Sequence, residues 1–261
     1  MAILVLDSPR LPALPYQQWL PDPVVLTVRS ETETAGWRAA GVHVERFSFP
    51  YASAAAARAA FAAAAEVGAS AVVALEWSDL HRAAVIADHF GLAGPARELT
   101  RTVRDLVLLR ERWNASGIAT VPVHAAGKPF HLYQFAGRKI ADTCFRLRHR
   151  RRRRWPVVCD IAGTRGLREA ARHLGGTGQE RFHGMVIEEL APGGRRIASG
   201  KDARLLAEAA GLPADWPCEL TVIDLPDGRT LAADLTVGVP DGADVDAYGR
   251  WARAQMSGAP R

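Results

Sequence analysis

Short apolar runs alternate with helix-like stretches from Met1 to about Gly94, and no other property of the chain restricts its fold as much. Residues 3–6, 24–28, 42–47 and 71–75 read as brief strands. Between them, residues 54–67 and 78–90 carry Ala-rich, helix-favouring sequence. Ser78 is placed to N-cap the second helix, and Asp79 follows in its first turn, where negative charge complements the helix dipole. Gly91 then stops it. Parallel strands need crossover connections, so this alternation predicts a parallel sheet with helices on both faces.

Farther along, the pattern changes to α+β. A helix is predicted over residues 100–114, ended by Ser116 and Gly117, followed by a strand over 118–123 and a strand pair around Gly137. Arg146 to Trp155 holds seven arginines and abuts a strand over 155–161. Gly163, Thr164, Arg165 and Gly166 form a turn into a helix over 167–174. A strand over 185–190 ends at Pro192, Gly193 and Gly194, and further helices are expected over 202–210 and 245–255. Two apolar runs, 218–224 and 230–236, flank Leu225-Pro226-Asp227-Gly228, a hairpin signal. Asp224 and Asp234 lie on either side of that turn. Paired hard oxygen ligands suit Mg²⁺; two solvated turn-flanking acids are the plainer reading.

The chain has 261 residues, 48% hydrophobic and 23% charged, enough for a substantial core in two or three lobes. No run resembles a membrane span, since residues 54–75 are broken by Arg58, Glu66 and Gly68. The N-terminal residues lack a basic leader and read as a strand. Cys144, Cys159 and Cys218 are widely spaced, without CxxC or His at metal-ligand spacing, which argues against a disulfide framework or zinc site and for a cytoplasmic setting. His124, His131, His149 and His183 are equally scattered.

The net charge of +5 is unevenly placed, and Lys128, Lys139 and Lys201 are the only lysines. The arginine run has three readings. A solvated strand edge or loop comes first, because packed like charges repel. A grip on an anionic substrate comes second. Nucleic-acid binding comes last, since Trp155 alone supplies an aromatic ring.

Several passages fall in a telling order. Phe90-Gly91-Leu92-Ala93-Gly94-Pro95 is followed by Arg104 to Arg110 and by Ser116 to Pro122. Trp155-Pro156-Val157-Val158 precedes the glycine turn, and Met185 to Gly193 leads towards the acidic hairpin. This order resembles the ATP-grasp superfamily. The resemblance implies an α/β fold, α+β in its C-terminal part, with an N-terminal parallel lobe over 1–96. Two ATP-grasp subdomains over 97–185 and 186–255 would follow, then a flexible tail over 256–261. It also implies an ATP- and Mg²⁺-dependent ligase that joins a carboxylate to an amine through an acyl phosphate.

By that resemblance Glu188, Glu189 and Leu190 face adenine, and Gly163, Thr164, Arg165 and Gly166 cover the phosphates, with Arg165 as the catalytic cation. Asp224 and Asp234 hold Mg²⁺. The substrate is a small-molecule or peptide carboxylate rather than nucleic acid or membrane, and a homodimer or a partner enzyme is left open. The departures are specific. The first ATP lysine falls at Leu106 and the second at Cys159, while a ribose-binding glutamate falls near Arg195. The usual Glu-x-Asn appears as Asp234-Leu235-Thr236. They motivate an alternative, a catalytically degenerate pseudoenzyme acting as a binding or scaffold partner. Arg165 is weighed evenly between phosphate contact and solvated charge; Arg104, Arg110, Arg195 and Arg196 are read as solvated.

Overall fold

A computed structural model describes residues 1–48, 53–125, 144–151, 157–162, 184–240 and 242–257, with single positions 166 and 169. The chain divides into two units. The first comprises Met1–Arg101, Pro213–Cys218 and Val237–Arg261; the second comprises Thr102–Leu212 and Glu219–Thr236.

The first unit is built on a four-stranded sheet in the order β3-β2-β1-β4. Its strands are β1 (Ile3–Leu6), β2 (Pro23–Thr27), β3 (His43–Arg46) and β4 (Ala71–Ala74), and every pairing is parallel, as the alternating pattern predicts. The continuous apolar runs are explained by burial, since β1, β2 and β4 are buried at every position. Short helix α1 (Tyr16–Trp19) follows β1. Helix α2 (Glu31–Ala39) starts with a capping box, in which Ser30 Oγ accepts from the Glu33 amide and Glu33 Oε2 accepts from the Ser30 amide. Helix α3 (Ala54–Glu66) presents Ala60, Ala63 and Ala64 to Leu4, Val24 and Val72. Small side chains there let the helix sit close to the sheet.

Helix α4 (Trp77–Phe90) ends at Gly91 in a left-handed conformation, as expected, but it starts one residue earlier than the sequence suggests. Its cap is Glu76 rather than Ser78. Glu76 is extended, and its longer side chain folds back so that Oε2 accepts from the Ser78 amide at 2.7 Å. The outer edge of β4 is closed by two distant segments. The Val72 amide donates to the Ala93 carbonyl, and the Gln255 side-chain amide both accepts from the Ala74 N–H and donates to the Ala74 carbonyl. Gln255 lies on α8 (Val245–Ser257), so the last helix completes the first sheet.

The single helix predicted over 100–114 is two: α5 (Arg97–Arg104) and α6 (Leu106–Ala115). Asp105 adopts an extended conformation between them, and its Oδ1 accepts from the amides of Val107 and Leu108. A side chain that serves as an N-cap breaks the helix it would otherwise continue.

The second unit holds two antiparallel sheets. One has the order β5-β8-β6-β7, from β5 (Val123–Ala125), β6 (Cys144–His149), β7 (Val157–Ala162) and β8 (Met185–Glu189). The strand expected over 118–123 is therefore displaced: Thr120 makes only an isolated bridge to Ala232, and Pro122, with no N–H, precedes the real strand. Of the strand pair around Gly137, only residues from 144 onward are described. The other sheet has the order β11-β10-β9, from β9 (Gly194–Ile197), β10 (Cys218–Asp224) and β11 (Thr230–Val237). The hairpin appears where predicted. Its turn is closed by Leu225 N donating to Arg229 O at 2.8 Å and Gly228 N donating to Leu225 O at 3.0 Å. Gly228, at φ +84, supplies the left-handed residue that this turn needs. Strand β9 was not foreseen. Helix α7 (Gly200–Ala210) is tied to α6 by the Trp113 indole, which donates to the Leu206 carbonyl at 2.9 Å.

Candidate functional site

Five elements of the second unit send charged side chains to one place. Glu188, the fourth residue of β8, is 2% exposed. A buried carboxylate must be paired, and this one is paired repeatedly. Arg148 of β6 lies diagonally across the ladder, where Arg148 opposes Val186, and its Nη1 donates to Glu188 Oε1 at 3.1 Å and Oε2 at 2.9 Å. The same nitrogen donates to Asp234 Oδ1 of β11 at 2.9 Å. Arg110 of α6 donates through Nη2 to Glu188 Oε1 at 3.0 Å and also to the carbonyls of Ala232 and Ala233. Arg195 of β9 lies 3.2 Å from Asp234 Oδ2 and 3.9 Å from Glu188 Oε2, with 39% of its side chain exposed.

Three guanidiniums thus face two carboxylates, so the cluster keeps one net positive charge. Burial pulls the Arg110 guanidinium down to a pKa of about 10, against the opposing pull of Glu188 and Asp234. For Arg148, burial also acts downward, but Asp234 and Glu188 outweigh it and hold the group above its ordinary value.

Next to this cluster along the chain, the end of β8 opens onto a cleft of about 450 Å³. Its apolar walls include Pro122, Leu190, Ala191, Leu225 and Leu231, and Glu189, Asp227 and Arg229 also line it. Ala191, Leu225 and Leu231 pack on a small core of Val121, Ile223 and Ala233. The linker after β8 runs tightly against the hairpin. A Cβ on Gly193 would collide with the Asp224 carbonyl oxygen and would come within 2.8 Å of Ile223 Cγ2.

The sequence-predicted residues are distributed unevenly over these features. Leu190 lines the cleft, as does Glu189, whose Oε1 is 3.3 Å from His124 Nε2. Glu188 belongs to the ion cluster. Asp224 and Asp234 are not brought together. Asp224 Oδ1 accepts from Thr230 Oγ1, and Asp234 stands four residues farther along β11, roughly 13 Å of strand. Asp224 is solvent-facing and accepts from Arg196 Nε at 2.6 Å, a bond that, with the one from Thr230, holds its carboxyl below the usual range.

Leu106 is fully buried at the start of α6, and its amide donates to the Arg150 carbonyl. Cys159 is a β7 residue in register with Leu147. Gly163, Thr164 and Arg165 lie outside the described residues, and Gly166 is described only as helical.

The arginines require a correction. Arg148 is not a solvated charge but 1% exposed. Arg150 and Arg151 both hold Asp105, at 2.8 and 2.9 Å. Burial acts to raise the Asp105 pKa, and the two arginines override it and lower it. Arg152, Arg153 and Arg154 lie outside the described residues. Arg110 and Arg195, read from sequence as surface charges, are both in the cluster. For Arg110 the signal was present: Leu106, Leu109, Arg110 and Trp113 form one buried helical stripe, and a charge on such a stripe needs a partner.

Compared by sequence, the chain matches no family model and no curated protein. Its fold, however, is similar to solved structures over nearly its whole length. An L-amino acid ligase from Bacillus licheniformis is 14% identical, with 92% of this chain and 67% of that one covered and a TM-score of 0.61. The biotin carboxylase domain of 2-oxoglutarate carboxylase from Hydrogenobacter thermophilus, in complex with MgADP, ADP and bicarbonate, is also 14% identical. That match covers 97% and 69% of the two chains with a TM-score of 0.66. The N5-carboxyaminoimidazole synthetase from Staphylococcus aureus, complexed with ADP, is 8% identical, covering 100% and 78%, with a TM-score of 0.66.

The chain has the ATP-grasp fold. At such identities the likeness is one of fold, and activity rests on the side chains this chain carries. Two of its features suit a nucleotide: apolar walls for a flat base, and guanidiniums whose forked donors suit phosphate oxygens. A divalent ion fits less well. Among the described residues no group of three or more His, Cys, Asp or Glu side chains could hold one. Glu188 and Asp234 do converge, but on Arg148 Nη1. Among the described residues, no helix is long and apolar enough to cross a membrane.

Proposed function

We propose that this chain binds an adenine nucleotide, with the base in the cleft beside Leu190 and Ala191, and uses ATP to join a carboxylate to an amine. The carboxylate oxygen would take the γ-phosphoryl group, releasing ADP. The amine would then attack the acyl carbon and lose a proton as phosphate departs. What carries the reading is one observation: an apolar cleft and a buried cluster with net positive charge meet on consecutive residues, Glu188 to Ala191. Such a cluster, already desolvated, is suited to stabilise charge on phosphate oxygens without reorganising. Gly163, Thr164, Arg165 and Gly166 would cover the phosphates, and Cys159 would stand beside them. Solved neighbours hold ADP, and one of them holds MgADP.

A second reading, a catalytically degenerate binding or scaffold partner, is favoured by Leu106, an apolar and fully buried residue where the fold's first ATP lysine is expected. One experiment serves both. ADP is titrated calorimetrically into the wild type and into Ala191→Trp, which fills the cleft, and phosphate release from ATP is followed with mixed amino acids present. Binding to the wild type alone, with phosphate release, supports the ligase. Binding without release, or no binding to the wild type, refutes the ligase and supports the second reading, which phosphate release by the wild type refutes.

A further inference from the structure

Arg148 Nη1 has the surroundings of a bound metal. Three carboxylate oxygens from two separate strands converge on it: Glu188 Oε1 at 3.1 Å, Glu188 Oε2 at 2.9 Å and Asp234 Oδ1 at 2.9 Å. A Mg²⁺ ion at this point would need its oxygens at about 2.0–2.1 Å and would need the nitrogen to leave. The side chain is 2% exposed and anchored within the sheet by both acids. Arg110 and Arg195 already approach the same carboxylates from the other sides. A dication added beside all three guanidiniums would set five positive charges against two negative ones, in a site too dry to screen them.

We propose that Arg148 is the built-in cation of this acid pair, excluding a divalent ion from Glu188 and Asp234, so that nucleotide phosphates bind without one. Of the three guanidiniums, Arg195 is the most open to an incoming anion, being 39% exposed where Arg110 and Arg148 are 4% and 2% exposed. This inference rests on the nucleotide reading for its ligand but not for its central geometry, and the test separates the two.

In the first arm, ADP is titrated calorimetrically into the wild-type protein in EDTA and again in excess Mg²⁺. Binding in EDTA at least as tight as in Mg²⁺ is expected; tighter binding in Mg²⁺ overturns the inference and leaves the nucleotide reading standing. In the second arm, Mn²⁺ alone is titrated and followed by electron paramagnetic resonance. The wild type is expected to bind none at the acid pair, and Arg148→Met is expected to gain one ion per chain, lost again when Glu188→Gln is added. A stoichiometric Mn²⁺ on the wild type that Glu188→Gln abolishes overturns the inference even if ADP binds in neither buffer. The wild-type measurements decide the matter should Arg148→Met fail to fold.

Discussion

Charge balance, rather than the number of hydrogen bonds, should govern the stability of the buried cluster, and Glu188→Gln compared with Arg148→Met tests this. Arg148→Met removes three of the cluster's hydrogen bonds, two to Glu188 and one to Asp234, whereas Glu188→Gln keeps an acceptor oxygen at the Oε1 position for Arg110 and Arg148 and loses only the Arg148 bond to Oε2. A count of bonds therefore predicts the larger loss for Arg148→Met. The charges predict otherwise. With Glu188 neutral, Arg110, Arg148 and Arg195 share only Asp234, and two of them are at most 4% exposed. Leaving buried charge unpaired in this way costs about 3–5 kcal/mol. With Arg148 replaced by an apolar side chain of similar length, Arg110 keeps Glu188 and Arg195 keeps Asp234, and the cluster becomes neutral. The cost should fall to about 1–2 kcal/mol, chiefly from imperfectly satisfied acceptors. Urea denaturation followed by circular dichroism at neutral pH measures both. Equal shifts in midpoint, or a larger one for Arg148→Met, would refute the charge-balance argument.

Two other outcomes follow from the same unit. Asp105 is held below its ordinary pKa, so its contribution is complete above the unfolded-state value of about 3.9 and disappears as pH falls through the lower folded-state value. Asp105→Asn should therefore cost about 1.5–3 kcal/mol at neutral pH, and the gap from wild type should close in acid; a gap independent of pH counts against the pairing with Arg150 and Arg151. Gly193→Ala would force the linker away from the Asp224 carbonyl, with a loss of about 1–3 kcal/mol and weaker ADP binding in the cleft. Thermal melts and calorimetry that match the wild type would show that the linker does not depend on this close approach.

Much of the fold was legible because local signals agreed with tertiary fate. Ile3–Leu6 and the Pro226-Asp227-Gly228 turn each combine a clear propensity with the environment they occupy. Strand β9 shows the opposite case. Gly194–Ile197 has no alternation, all four residues are exposed, and Ile197 is 62% exposed, so it is a strand only because β10 pairs with it. The helix break at Asp105 was hidden because its neighbours favour helix on both sides. The acids posed a different problem. Spacing along the hairpin could couple Asp224 with Asp234, but only the sheet register brings Glu188 and Arg148 to the same place as Asp234. Arg148 itself sits inside a run whose composition speaks for solvent, and pairing across strands overrode that.

The bond between Gln255 and Ala74 closes a gap of 181 residues. A ribosome adding roughly 5–20 residues per second needs on the order of 10–40 s to pass from one to the other. Throughout that interval the nascent β4 has one margin of backbone donors and acceptors lacking the Gln255 amide, and such margins invite pairing with foreign strands. The early-made sheet thus depends for its completion on late-made sequence. Until Gln255 emerges, that margin is a place where shelter by a chaperone would protect the sheet.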